Sequence, residues 1–219
     1  MGCIIIGLTI LCIVLFNGKT ALCGENGITF NSVLKFSSGG ILASMALPEG
    51  SHALVAGLTN TDMDWEFGNY NQPIAFTENA SSDAKGFAIN SAGLIDQEIG
   101  SEVILQVDKI DKNSSHVSGM MLWNALNPIL YALDSWFLGI ANKKEGNKYQ
   151  GDTQGIERYS NESVANEFAL SMAAIAVFQG YRFLQTQSWA SDWVKKAPHN
   201  IIFVPTPAGS ILMTYKLTF

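Results

Sequence analysis

Two stretches decide the fold: residues 118–141, SGMMLWNALNPILYALDSWFLGIA, and residues 162–186, ESVANEFALSMAAIAVFQGYRFLQT. In the first, Leu122, Leu126, Ile129, Leu133, Phe137 and Ile140 recur at steps of three and four, the period of a helix with one apolar side. Pro128 lies within it, and a proline there frees the carbonyl of Asn124 and kinks the helix. The second starts at Asn161 and Glu162, a capping side chain followed by a negative charge at the positive end of the dipole. Its small residues, Ala169, Ser171, Ala173 and Ala174, allow another helix to approach closely. The two stretches are therefore expected to pair as an antiparallel helical hairpin across the polar link 142–161.

Beyond the hairpin the chain ends in Ile201-Ile202-Phe203-Val204, a turn through Pro205 to Gly209, and the alternation Ile211, Met213, Tyr215, Leu217, Phe219. This is a β-hairpin signal. The aromatic last residue and alternating apolar positions resemble the terminal strand of bacterial outer-membrane barrel proteins. A barrel needs at least about eight strands, and the chain offers six candidates with two helices interposed. Before the hairpin, residues 24–110 read as a strand-rich half. Ile28 to Phe36 and Ser101 to Val107 are expected as strands, Met63-Asp64-Trp65-Glu66-Phe67 alternates acids with large apolar groups, and 69–92 reads as loop. The expected architecture is α+β: a small antiparallel sheet, from N-terminal strands and the C-terminal hairpin, packed on the helical hairpin.

The 219 residues suit one domain, and 47% hydrophobic residues exclude a disordered chain. With 13 basic against 19 acidic residues and only two arginines, Arg158 and Arg182, no nucleic-acid partner is expected. Cys3 to Phe16 is an unbroken apolar run, short for a bilayer-spanning helix and right for the core of a signal peptide ending at Cys23. Lipidation at Cys23 and a retained anchor are the alternatives. All three cysteines precede Gly24, so a chain cleaved after Cys23 has no thiol chemistry, no disulfide and no cysteine-ligated zinc. The expected address is a bacterial periplasm or outer membrane, with residues 24–219 as one exported domain: a strand-rich half, then the helical hairpin and terminal β-hairpin of 111–219.

Candidate chemistry is sparse. Of the three histidines, His52 follows Glu49 and Ser51, His116 opens the helical half, and His199 precedes the last hairpin; none has zinc-type spacing. His52 and His116, with Glu157 as a general acid or base, are the catalytic candidates. Asn124, Asn127, Tyr131 and Asp134 step by three and four along one side of the first helix. With Asp152 and Arg158 from the link they form a candidate polar pocket, although a helix side facing water has the same pattern. Asp62, Asp64 and Glu66 open like a calcium loop, but Phe67 stands where the tight-turn glycine belongs. On a strand they form one solvated face, so no cofactor is predicted beyond a divalent cation at these acids.

The aromatic helices (Trp123, Trp136, Phe137, Phe178, Phe183), the export signal and the aromatic terminus favour a non-enzymatic envelope component that associates with a membrane or an envelope assembly. The competing reading is an envelope hydrolase acting on a lipid or cell-wall component through a His/carboxylate site. A carbohydrate- or cation-binding module is the third.

Overall fold

The computed structural model describes residues 23–24, 27–67, 74–133, 135, 151–196, 201–205 and 211–215. The apolar run Cys3 to Phe16, Asp134, Trp136, Phe137, the 142–150 part of the link, His199 and Phe219 lie outside the described residues.

Helices dominate. After the two-residue strands β1 (Cys23–Gly24) and β2 (Gly27–Ile28) come α1 (Phe30–Ile41), a π-helical turn (Leu42–Ala46) and α2 (Leu47–Thr59), which run as one 30-residue helix. The hairpin β3 (Met63–Phe67) and β4 (Ile74–Glu78) follows, then α3 (Asp83–Gln106), α4 (Ser115–Leu133), the short α5 (Asp152–Arg158), α6 (Glu162–Thr186) and α7 (Asp192–Lys196). The chain closes with β5 (Ile201–Pro205) and β6 (Ile211–Tyr215).

The expected helical hairpin is present as α4 and α6. Ala125 lies at Gly180, and Ala132 packs with Ala169 and Ala173, so positions rise on one helix as they fall on the other and the pair is antiparallel. Alanines at the seam leave little side-chain bulk between the helices, as the run of small residues implied. Asn161 caps α6 through Oδ1, which accepts from the Val164 amide. At the C-terminal end of α3, Ile104, Val117, Met121 and Phe183 form an apolar cluster.

The strand-rich first half is corrected. Residues 30–41 are helix, because Thr29 caps it in a reciprocal box: the Ser32 amide donates to Thr29 Oγ1 and the Thr29 amide to Ser32 Oγ. Ser101 to Gln106, expected as strand, are the last turns of α3, and the expected loop at 69–92 contains β4 and the start of that same helix. Ser82 caps α3 by accepting from the Lys85 amide. Asn60 ends α2 in the left-handed region at φ 57°, a conformation asparagine tolerates. The single expected sheet is also corrected. Among the described residues strands pair only as sequence neighbours, β1 with β2, β3 with β4 and β5 with β6, all antiparallel. The alternation of 63–67 and the C-terminal hairpin were read correctly.

The first long helix crosses α4 at two glycines. A Cβ on Gly39 would collide with the His116 carbonyl, and one on Gly119 with the Phe36 carbonyl, so the two backbones touch directly. Helix α2 and the π-helical turn before it run antiparallel to α3, with His52 against Ile89 and Ala43 against Gln97. This crossing brings the polar residues of α2 and α3 together.

Candidate functional site

Helix α2 presents Glu49, Ser51 and His52 within one turn. His52 is only 1% exposed. Its Nδ1 lies 2.6 Å from the Ile89 carbonyl oxygen of α3, and since a carbonyl only accepts, Nδ1 carries a proton. Its Nε2 lies 3.4 Å from Asp152 Oδ1 at the start of α5. The Phe76 ring of β4 covers the imidazole with centroids 4.7 Å apart. Gly93 of α3 passes so close that a Cβ there would stand 2.5 Å from Nε2 and 3.2 Å from Asp152 Oδ2. Glycine is therefore required for the His52–Asp152 approach. Gly151 in turn lies against the Tyr131 ring, which brings α4 to the same corner.

The electrostatics follow from burial. Desolvation pulls the His52 pKa down, but the Asp152 carboxylate, the Ile89 carbonyl and Glu49 outweigh it and hold the imidazolium at about 9. Desolvation raises Glu49 to about 7, with His52 pulling back and Asp152 pushing further up. Asp96 of α3 is also raised by burial, against the pull of the Ser51 hydroxyl and His52. His52 is thus a doubly donating cation with both nitrogens committed. Glu49 differs: it is partly exposed, near neutrality in pKa, and its Oε2 accepts no hydrogen bond. A proton carrier at neutral pH requires those properties.

A second polar group adjoins the first through α3 and α5. Glu78, buried at the end of β4, accepts from Asn90 Nδ2 at 2.9 Å and lies 3.9 Å from the Arg158 guanidinium. Asn90 also donates to the Gly86 carbonyl and packs on Gly155, where a Cβ has no room. A third group joins α3, α4 and α6. Asn127 donates to Gln97, which donates to the Ala43 carbonyl; Asn124 donates to Ser101; Gln179 donates to the Glu98 carbonyl and to Glu102; and Arg182 binds Glu102 at 2.7 Å.

The sequence candidates are therefore dispersed. His52 and Asp152 meet. His116 instead pairs its Nδ1 with Ser38 Oγ at 2.9 Å, in the α1–α4 crossing. Glu157 lies on α5 but makes no described contact with the His52 centre. The expected single polar pocket divides: Asn124 and Asn127 bond to α3, Tyr131 meets Gly151, Asp152 takes His52 and Arg158 takes Glu78. It divides because stepping by three and four aligns residues along a helix while successive turns meet different neighbours. Asp62, Asp64 and Glu66 are exposed along β3 and its entry, and among the described residues no group of three or more His, Cys, Asp or Glu is arranged to hold a metal ion. Sequence reasoning missed Gly93, Asp96, Glu78, Asn90, Glu98 and Gln179. The Glu49-x-x-His52 spacing was the legible signal, since it places both side chains on one face of a helix.

Comparison with family models, with curated proteins and with solved structures gives no match for this chain.

Proposed function

We propose that this chain is an exported, membrane-associated component of a bacterial cell envelope, resting on lipid through the outward side of the Phe30–Thr59 helix. The observation that carries the reading is the apolar surface of that helix. Phe30 is 84% exposed and Leu58 78%, with Leu34, Ile41, Leu47 and Leu54 also exposed between them along about 45 Å. Soluble monomers rarely leave such a stretch facing water. Helix α3 supports it with a second apolar stripe, Ile95, Ile99 and Val103, exposed at steps of four, although Ile89, Leu94 and Ile104 of the same helix are buried. The same Phe30–Thr59 helix, near the N-terminus and apolar enough to cross a membrane, is also compatible with a signal sequence.

A net charge of −6 gives no polybasic anchor, so apolar burial is the driving force and salt has little effect. The test is flotation of the full-length protein with phosphatidylethanolamine/phosphatidylglycerol vesicles. Binding that persists in high salt and is lost in the Leu54→Glu/Leu58→Glu variant is expected. A monomeric protein that stays unbound without detergent overturns the reading.

A hydrolase acting on a lipid or cell-wall component is the second reading, favoured by Glu49 with its unpaired Oε2 beside the His52–Asp152 pair. Here Glu49 transfers the proton, and the neighbouring His52 charge pulls its carboxyl pKa back down against burial. Hydrolysis of envelope lipid or cell-wall preparations should fall about a hundredfold or more in Glu49→Gln. Unchanged turnover removes this reading.

A further inference from the structure

Helix α3 carries a second buried acid, Glu98, that takes no part in the His52 centre. It is 8% exposed, and neither Oε1 nor Oε2 accepts a hydrogen bond. Gln179 of α6, 6% exposed, donates Nε2 to the Glu98 carbonyl at 3.0 Å and to Glu102 Oε2 at 3.3 Å. Spending the donor this way fixes the amide orientation and leaves Oε1 as the atom without a partner. Asn124 of α4, 3% exposed, is fixed likewise: Nδ2 donates to Ser101 Oγ at 3.1 Å, within a turn of Glu98 on α3, and Oδ1 has no partner. Three helices thus bury four acceptor oxygens, and no donor of the bundle reaches any of them. The indole Nε1 of Trp123 is buried without a partner and donates to none of the four.

The charge balance restricts what can satisfy these oxygens. Glu102, next along α3, is already neutralised by Arg182 at 2.7 Å and by two amide donors. Helix α4 has no Asp, Glu, Lys or Arg. One carboxylate and two amide oxygens therefore match a single positive charge, whereas a divalent ion calls for more carboxylates and six to eight oxygens in the case of calcium. Burying a neutral ion–carboxylate pair also costs far less than burying the carboxylate alone.

We propose that Glu98, Gln179 and Asn124 form a binding site for a hard monovalent cation, sodium or potassium, at the junction of α3, α4 and α6. The ion and a proton compete for Glu98. Burial and the neighbouring Glu102 push the Glu98 carboxyl up to about 8, so the ion gains ground as pH rises past that value.

The test is thermal melting of the full-length protein at pH 9 and pH 6 in sodium, potassium or choline chloride at one ionic strength. At pH 9, sodium or potassium should raise the melting temperature by about 3–5 °C over choline, with a smaller rise at pH 6. Glu98→Gln, an uncharged isostere, should melt at the same temperature in all three salts. Gln179→Met, which removes one oxygen without altering charge, should reduce the response. Line-broadening of sodium-23 NMR by the wild-type protein, reversed by added potassium, reads binding without any variant. Equal wild-type melting in all three salts at pH 9 overturns the proposal, as does a sodium response that persists in folded Glu98→Gln.

Discussion

The His52 and Glu98 centres both adjoin α3, one packed against it from α2 and the other carried on it, and are comparably buried, yet they are satisfied in opposite ways. Around His52 the fold supplies each acceptor: the Ile89 carbonyl to one nitrogen and the Asp152 carboxylate to the other. Around the Glu98 carboxylate no donor is supplied among the described residues. A buried charge is tolerated when its counter-charge is built in, and shifts toward its neutral form when it is not. The two centres teach that burial alone does not assign a role; the partner inventory does.

Breaking the built-in pair should have the largest effect. Asp152→Ala leaves the imidazolium buried beside an apolar methyl, and should lower unfolding stability by about 3–5 kcal/mol at neutral pH. His52 has a folded pKa of about 9, raised above its ordinary 6.5. Its contribution is fully present below 6.5 and is lost as pH rises through 9. The penalty of Asp152→Ala measured by urea unfolding should therefore shrink above pH 9; a penalty that grows there contradicts the ion-pair account.

Next comes Gly93→Ala. Its methyl would stand 2.5 Å from His52 Nε2, which must yield, and a loss of about 1–3 kcal/mol is expected. Gly50→Ala is the contrast, because a Cβ on Gly50 meets nothing within 4 Å. Replacing glycine within a helix there should leave stability unchanged or raise it by up to about 1 kcal/mol.

The unpaired centre should respond with the opposite sign. The folded Glu98 carboxyl titrates near 8 instead of 4.5, so its contribution is complete below 4.5 and is lost as pH rises through 8. Glu98→Gln removes that loss. In choline chloride the variant should gain stability over wild type at pH 9 by an amount on the order of 1–3 kcal/mol, and little at pH 4. Glu49, raised to about 7, runs in the same direction, so the whole protein should weaken steadily on the alkaline side. The smallest effect belongs to Arg182→Met. Its pair with Glu102 is partly exposed and screened, and about 1 kcal/mol, reduced by salt, is expected.

How much of this was legible in the residues differs by region. The α4–α6 hairpin has its apolar and small residues on the buried side, so the helical period and the packing agree. Helix α3 is mixed: Ile89, Leu94 and Ile104 face in together with Gln97, Glu98 and Ser101, while Ile95, Ile99 and Val103 face outward. A pattern read for apolar burial finds no clean helical face there, because apolar residues lie on both sides, and its last turns look like a strand. The start of α1 was missed because Ile28, Phe30, Leu34 and Phe36 fit a two-residue period, whereas the deciding signal was the Thr29–Ser32 cap.

Local sequence determined the caps, the helical periods of α4 and α6, the β3 alternation and the terminal β-hairpin, because each depends on neighbours within a turn or a few residues. It also placed Glu49 and His52 on one helical face. Only the tertiary structure decided that Asp152, 100 positions further along, is the partner of His52, and that His116 and Glu157 are not. The same holds for Glu98, whose unusual state arises from what α4 and α6 fail to offer it. Side-chain chemistry is written in the residue, but the counter-charge that sets its protonation comes from packing between distant segments.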